Sequence, residues 1–390
     1  MNKIRTNLEK HLQELCLTIG SRHVGSDGEK LAADYIENEF RRYGYQTVRE
    51  KYSTTGWNLK SFEFTNQTRH IQIPGAVPCF FSPSAEVEGK LLWLKRSDLE
   101  HLDDLSVKGR ICMVASVSSQ EDVKGRNQIA EELDSLGAAA AIFISDIHTS
   151  LAASTKIQRS PFLNQLGCCA VAEEGALELA RHKDDVYRIK LEASCFPHES
   201  CNVIARVSGS KSSKGVIGAH FDTAPLTQGA GDNASGVAVL LELARFLHGK
   251  NNEWNLDFVA FSAEEYIPKD LPPGSGDYVM VHQHEDIRWF LNFDDIGLLL
   301  GEPQIRTVLG EKMPPLRSDI FPICPTQITS GDDKSFKHIG VPSVWYRDTS
   351  FFKELHTERD NVDTIDFEKM TVATVDAVKI FEQLTKDTEK

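Results

Sequence analysis

The chain has 390 residues, 41% of them hydrophobic, more than one hydrophobic core usually supports, so two or more domains are expected. Lysine and arginine number 43 against 57 aspartates and glutamates, a formal net charge of -14, which argues against nucleic acid or an anionic membrane as a partner. No stretch approaches the roughly 18 uncharged apolar residues of a membrane-spanning helix.

Residues 1–20, MNKIRTNLEKHLQELCLTIG, alternate charged and apolar side chains and lack the continuous apolar core of a signal peptide. The cysteines, Cys16, Cys79, Cys112, Cys168, Cys169, Cys195, Cys201 and Cys324, are scattered without zinc-finger or redox spacing and read as reduced, mostly buried thiols. Both features favour a cytoplasmic protein, an expectation that a trimmed secretion signal would overturn.

From about Gly75 to Ser200 the pattern is that of a separate small α/β segment. VKGRICMVASV is expected as a strand, AEELDSLGAAAAIFISD as a helix, glycine turn and second strand, and CCAVAEEGALELARH as a strand end and helix. No histidine or carboxylate cluster with ligand spacing occurs there. CNVIARVSG then resumes the main sheet, and SGSKSSKG at Ser208 to Gly215 reads as a hairpin-type loop.

The chemistry lies further along. Val216 to Ala219, Leu256 to Phe261 and Trp289 to Phe293 read as buried strands. Where they stop stand His220 in HFDT, Glu264 and Glu265 in SAEEY, and Asp294 in NFDDIG. In an open, mostly parallel α/β sheet, loops converge at the carboxyl ends of the strands, so three strand ends are expected to present donors to one place. After the first strand, Gly229 to Gly236 is a turn-rich stretch leading into Val237, Val239, Leu240, Leu243, Ala244 and Leu247 at helical spacing. Asp232 sits in that turn, where an anion is favoured by the helix start. His356 follows in LHTERD.

Zinc takes imidazole nitrogen and carboxylate oxygen, and two zincs about 3.5–4 Å apart can share a hydroxide and polarise a carbonyl. If Asp232 bridges, four ligands remain, one imidazole and one carboxylate for each ion. Glu264 cannot easily share a metal with its neighbour Glu265 and is the candidate general base. Asp222 is placed either to accept the second ring N–H of His220 or to buttress the ligand loop. Tyr346 and Arg347 close the strand VPSVWYR, where a tyrosine hydroxyl facing the substrate would steady an oxyanion and a free arginine would clamp a substrate carboxylate. The dull alternative has Tyr346 in the core and Arg347 paired with Asp348 or Glu354. Asp295 is expected as a solvated or salt-bridged neighbour, and His282, His284 and His338 as structural.

HFDT, GAGDNASG, FSAEEY, NFDDIG, SGDDKSF and LHTERD together resemble the co-catalytic zinc aminopeptidase family, whose relatives include glutamate carboxypeptidases, glutaminyl cyclases and a catalytically dead receptor ectodomain. The opening IGSRHVGSDGEKLAADYIENEFRRYGY, Ile19 to Tyr45, is similar to the family's first helix and its preceding loop. The resemblance implies a three-layer α/β/α fold with a mostly parallel central sheet. It assigns His220, Asp232 and Asp294 to one zinc and Asp232, Glu265 and His356 to the other, with manganese or cobalt as possible substitutes. It also implies a cis peptide after Asp232, and peptides with a free amino terminus as substrates. A carboxypeptidase, a glutaminyl cyclase and a non-catalytic binding protein are the alternatives. The segment 75–200 resembles an inserted protease-associated domain, leaving 1–74 and 201–390 as a discontinuous catalytic domain. Two departures stand out. IPKDLPPGSGD between Glu265 and Tyr278 replaces a usually shorter, glycine-rich link, and Asp333 stands where many relatives carry histidine, making Asp332 the safer supporting carboxylate.

Overall fold

Continuous apolar runs ending in polar residues build the centre of the main sheet, because strands covered on both faces must be apolar on both. The computed structural model describes residues 1–115, 125–144, 165–250, 253–266, 271–350 and 355–386. In chain order the helices are α1 (Asn2–Leu12), α2 (Asp27–Arg42), α3 (Arg126–Ser135), α4 (Glu173–Arg181), α5 (Ser235–Leu247), α6 (Pro273–Val281), α7 (Asp332–His338) and α8 (Phe367–Lys386). The strands are β1 (Gln46–Asn66), β2 (Ile71–Gln72), β3 (Ala76–Pro78), β4 (Ala85–Gly89), β5 (Leu91–Leu94), β6 (Ile111–Val114), β7 (Ala140–Ile144) and β8 (Gly167–Val171). They continue as β9 (Tyr187–Val207), β10 (Lys214–His220), β11 (Asn255–Phe261), β12 (Ile287–Phe293), β13 (Gly301–Val308), β14 (Ile323–Pro325) and β15 (Ser343–Ser350).

The chain divides into two compact units: Met1–Thr54, His198–Leu355 and Arg359–Lys390 in the first, Thr55–Pro197 and His356–Glu358 in the second. The second unit starts at Thr55 rather than near residue 75, because β1 runs unbroken through that point and no change of composition marks it.

The main sheet has the order β14-β13-β15-β12-β10-β11-β9-β1-β2. Its centre, β11-β10-β12-β15, is parallel throughout. Both flanks depart from the mostly parallel expectation, since β9 is antiparallel to β11 and β13 antiparallel to β15. The Ser208 to Gly215 stretch is not a hairpin either. It joins β9 to β10, and β11 lies between them.

Neighbouring residues of a strand point to opposite faces. On β10, Ile217 and Ala219 face a core shared with Leu8, Ile36, Leu240 and Ile380 of α1, α2, α5 and α8. Val216 faces the other core, with Phe261, Phe290, Tyr278 of α6 and Phe336 of α7. Helices therefore cover both faces, giving three layers. Phe290 and Phe336 stack at 3.8 Å and are fully buried, so truncating either to alanine is expected to cost about 3–5 kcal/mol. α2 begins as a capped helix should: the Ser26 side chain accepts from the Glu29 backbone N–H at 3.1 Å, acids occupy its first turn, and Arg41 and Arg42 its last.

Within the second unit, a five-stranded sheet runs β3-β8-β7-β6-β5, parallel except at β3. The sequence's helix, glycine turn and strand appear as α3, Gly137 with φ 77°, and β7. All eight cysteines are free thiols, five of them buried.

Candidate metal centre

His220 ends β10 with only 2% of its surface exposed. Its Nδ1 lies 3.2 Å from the Asp222 carbonyl oxygen, which can only accept, so Nδ1–H donates there and Nε2 is the nitrogen turned towards the carboxylates. Nε2 is 3.1 Å from Asp232 Oδ1, 3.3 Å from Asp294 Oδ1 and 4.0 Å from Glu264 Oε2. The Asp222 carboxylate does the buttressing: it accepts the backbone N–H of Glu264 and of Glu265, both at 3.0 Å. It thereby ties the end of β10 to the turn after β11.

The turn carrying Asp232 is built from small residues for steric reasons. A Cβ on Gly236 would lie 2.3 Å from the Phe293 carbonyl oxygen, and one on Gly231 2.6 Å from Leu298. The Asn233 amide donates to the Phe293 carbonyl at 2.8 Å and its oxygen accepts the Gly236 N–H at 2.9 Å, joining this turn to the end of β12. The peptide between Asp232 and Asn233 is cis.

Donor atoms of His220, Asp232 and Asp294 lie within 4.8 Å of one another, as do those of Asp232, Glu265 and His356. Asp232 belongs to both sets, and Glu264 stands beside the first. Gly331 presses on that glutamate: a Cβ there would meet Glu264 Oε1 at 2.4 Å. Three non-glycine residues at or next to these groups hold left-handed backbone, Ala263 (φ 59°), Asp295 (φ 58°) and His356 (φ 64°). Such strain persists where surrounding structure over-determines it and concentrates at functional sites.

Electrostatics supply the test of fit. Burial disfavours a charged His220, yet Glu264, then Asp222, Asp232 and Asp294, outweigh it and push the imidazole well above its ordinary value. So many carboxylates around one buried ring make a strong cation trap. Imidazole and carboxylate in this mixture suit zinc, with manganese and cobalt as alternatives.

Tyr346 requires a correction. It is 2% exposed, sits in the core facing α8, and donates its hydroxyl to Asp376 Oδ2 at 2.7 Å, so that hydroxyl is committed away from the site. Arg347 pairs with Asp295 at 2.7 Å rather than with Asp348, and Glu354 lies outside the described residues. Asp333 is fully buried and accepts from Asn292 at 2.8 Å, and Asp332 is buried at the start of α7. His282 is structural, held by Glu50 and Glu285. In the IPKDLPPGSGD stretch, residues 267–270 lie outside the described residues, and α6 begins at Pro273.

Three site-building residues carried no role in the sequence reading. Asp360 accepts the Gly231 N–H at 2.6 Å and the Asp232 N–H at 3.2 Å, steadying the residue common to both donor sets. Arg22 and Glu29 reach the strand ends from the amino-terminal segment. Their signal was present in LHTERD and IGSRHVGSDGEK, but a charged loop residue reads as solvated until its burial is seen.

An α/β/α sheet whose central strand ends gather imidazoles and carboxylates around a shared aspartate has the donor chemistry of a divalent-metal site. Residues 202–378, a little under half of the chain, match the family model described as Peptidase family M28. The chain is 25% identical over 352 residues to the probable lipoprotein aminopeptidase LpqL of Mycobacterium tuberculosis, an alignment covering 85% of this chain and 66% of that protein. It is 23% identical over 262 residues to aminopeptidase YwaD of Bacillus subtilis, covering 65% of this chain and 54% of the relative. The chain thus spans half to two thirds of the length of these curated relatives. The crystal structure of BSAP, a zinc aminopeptidase from Bacillus subtilis, superposes with a TM-score of 0.78 at 20% identity, covering 99% of this chain and 96% of that one, a likeness of fold.

Proposed function

We propose that this chain is a metal-dependent exopeptidase that hydrolyses the amino-terminal peptide bond of peptides, with two zinc ions as cofactor. The observation that carries the reading is the pair of three-residue donor sets sharing Asp232, with Glu264 beside them. His220, Asp232 and Asp294 would hold one ion and Asp232, Glu265 and His356 the other. Bound zinc supplies Lewis acidity, polarising a carbonyl and acidifying water. Glu264 takes the proton from the attacking water at its carboxylate and returns it to the departing amine nitrogen, so the base is regenerated each turnover. Asp222 keeps the Glu264 backbone in register with His220, and Gly331 closes the space behind the carboxylate.

Attack at the amino terminus is supported by the aminopeptidase names of the relatives and by Arg347. Its pairing with Asp295 leaves the expected carboxylate clamp already engaged. The second unit is read as a protease-associated-like domain and the protein as cytoplasmic. Among the described residues, no helix is long and apolar enough to cross a membrane. The test is a panel of aminoacyl chromogenic amides, free and acetylated, assayed with added zinc. Cleavage of the free amides alone supports the reading, whereas equal cleavage of acetylated amides, or cleavage only of substrates with a free carboxyl terminus, contradicts it.

A further inference from the structure

The family match begins at residue 202, yet two oppositely charged side chains from the amino-terminal segment reach the strand ends that carry the site. Arg22 is completely buried. Its Nε donates to the Phe221 carbonyl at 2.7 Å, Nη1 to the carbonyls of Leu15, Gly20 and Gln228 at 2.9, 2.8 and 2.8 Å, and Nη2 to that of Gly229 at 2.9 Å. Its own backbone N–H donates to Thr223 Oγ1 at 2.9 Å. Phe221 lies between His220 and Asp222, and Gly229 opens the turn that presents Asp232. One planar guanidinium therefore grips the backbone on both sides of the first ligand set.

Glu29 does the equivalent for the next strand end. Its Oε1 accepts from Ser262 Oγ at 2.7 Å and Ser200 Oγ at 2.6 Å. Its Oε2 accepts from the Gly25 N–H and from His198 Nε2, both at 2.8 Å. Ser262 is itself locked, its carbonyl accepting from the Tyr52 hydroxyl at 3.0 Å and its N–H donating to Asn202 Oδ1 at 3.4 Å. Only Ala263 separates it from Glu264, so the grip on Ser262 aims the base and, one residue on, Glu265.

We propose that Arg22 and Glu29 are a pair of positioning residues: the segment from Gly20 to Glu29 is a strut that holds the His220 and Asp232 backbone at a set distance from Glu264 and Glu265. The proposal rests on the metal-centre reading above. The side-chain chemistry fits a strut. Arginine offers five N–H donors in a rigid fork, whereas lysine has three from one point and cannot reach carbonyls on both sides. A single carboxylate can accept four bonds at once, and Glu29 does so.

The experiment uses the full chain with cobalt(II) as the metal probe and compares Arg22→Lys, Glu29→Gln and Ser262→Ala with the parent. Readouts are the visible cobalt absorption, cobalt affinity, kcat and KM on a free aminoacyl amide, and the melting temperature. The expected result is a kcat lower by about 10–100-fold with KM little changed, since a misplacement near 1 Å costs about that much. An altered cobalt spectrum and weaker cobalt binding should accompany it. Folded variants with a lowered melting temperature but parental kcat and cobalt spectrum would make these ordinary core residues and overturn the proposal. If Arg22→Lys does not fold, Glu29→Gln and Ser262→Ala, which change one group each, decide it alone. If the parent binds cobalt but cleaves no amide, the peptidase reading fails, and the cobalt spectra still decide this one.

Discussion

Two charged clusters occupy opposite ends of the same parallel strands, and they are composed differently. At the amino ends, Lys214 pairs with Asp257 at 2.9 Å and with Glu285, while Arg206 pairs with Glu50. His282 bonds Glu50 at 3.0 Å and Glu285 at 2.6 Å, and Tyr278 donates to Asp257 at 2.8 Å. Every carboxylate there has a cationic side chain against it. At the carboxyl ends, Asp232, Asp294 and Glu264 lie within 4.0 Å of His220 Nε2, and Asp232, Glu265 and His356 make a second group of donors. The first cluster is held by ion pairs among the protein's own side chains, whereas under the proposed function the second would be completed by divalent cations.

The comparison can be broken most sharply at Glu264. Glu264→Gln keeps the shape and both donor sets, so kcat should fall by about 10²–10⁴ with metal content unchanged, measured by amide hydrolysis beside elemental analysis. Near-parental turnover would assign the base elsewhere. The opposite end should respond in stability alone. Lys214→Met leaves Asp257 buried without its closest cation and should cost about 3 kcal/mol in urea unfolding, while zinc binding stays parental. A loss of zinc affinity there would mean the two ends are not independent.

Tyr346→Phe removes a hydroxyl from the core and leaves Asp376 with one bond fewer, so about 1–3 kcal/mol of stability should be lost with kcat unchanged. A selective fall in kcat would restore the discarded oxyanion role. The smallest effect concerns pH. Burial opposes charge on His282, but its bonds to Glu50 and Glu285 outweigh that and raise its affinity for a proton above the ordinary value of about 6.5. A raised histidine stabilises the fold below its unfolded value, and that contribution is lost as pH rises through the folded value. Urea unfolding of the parent should therefore lose stability over that window relative to His282→Gln, and parallel curves would show that the ring does not titrate in this way.

The donors themselves were legible because each apolar run stops at a residue of the wrong polarity for a core: His220 after β10, Asp294 after β12, and Glu264 and Glu265 just past β11. Asp232 was legible as an acid at a helix start. The direction of Tyr346 was not, since Val344, Trp345 and Tyr346 put large apolar side chains on both alternating faces and give no sign of which side meets α8. The antiparallel flanks were hidden for a related reason: pairing partners such as β9 and β11 are set by the whole sheet. Arg22 was hidden by distance, its partner Phe221 lying 199 residues away, so no local pattern marks the arginine as buried.

The central claim is that the acid-rich strand ends hold two divalent cations through a shared Asp232. Calorimetric titration of chelator-stripped protein with zinc tests it most directly. The account predicts saturable uptake of two ions per chain, with Asp232→Ala weakening both sites. No saturable uptake, or an unchanged isotherm in Asp232→Ala, would contradict it.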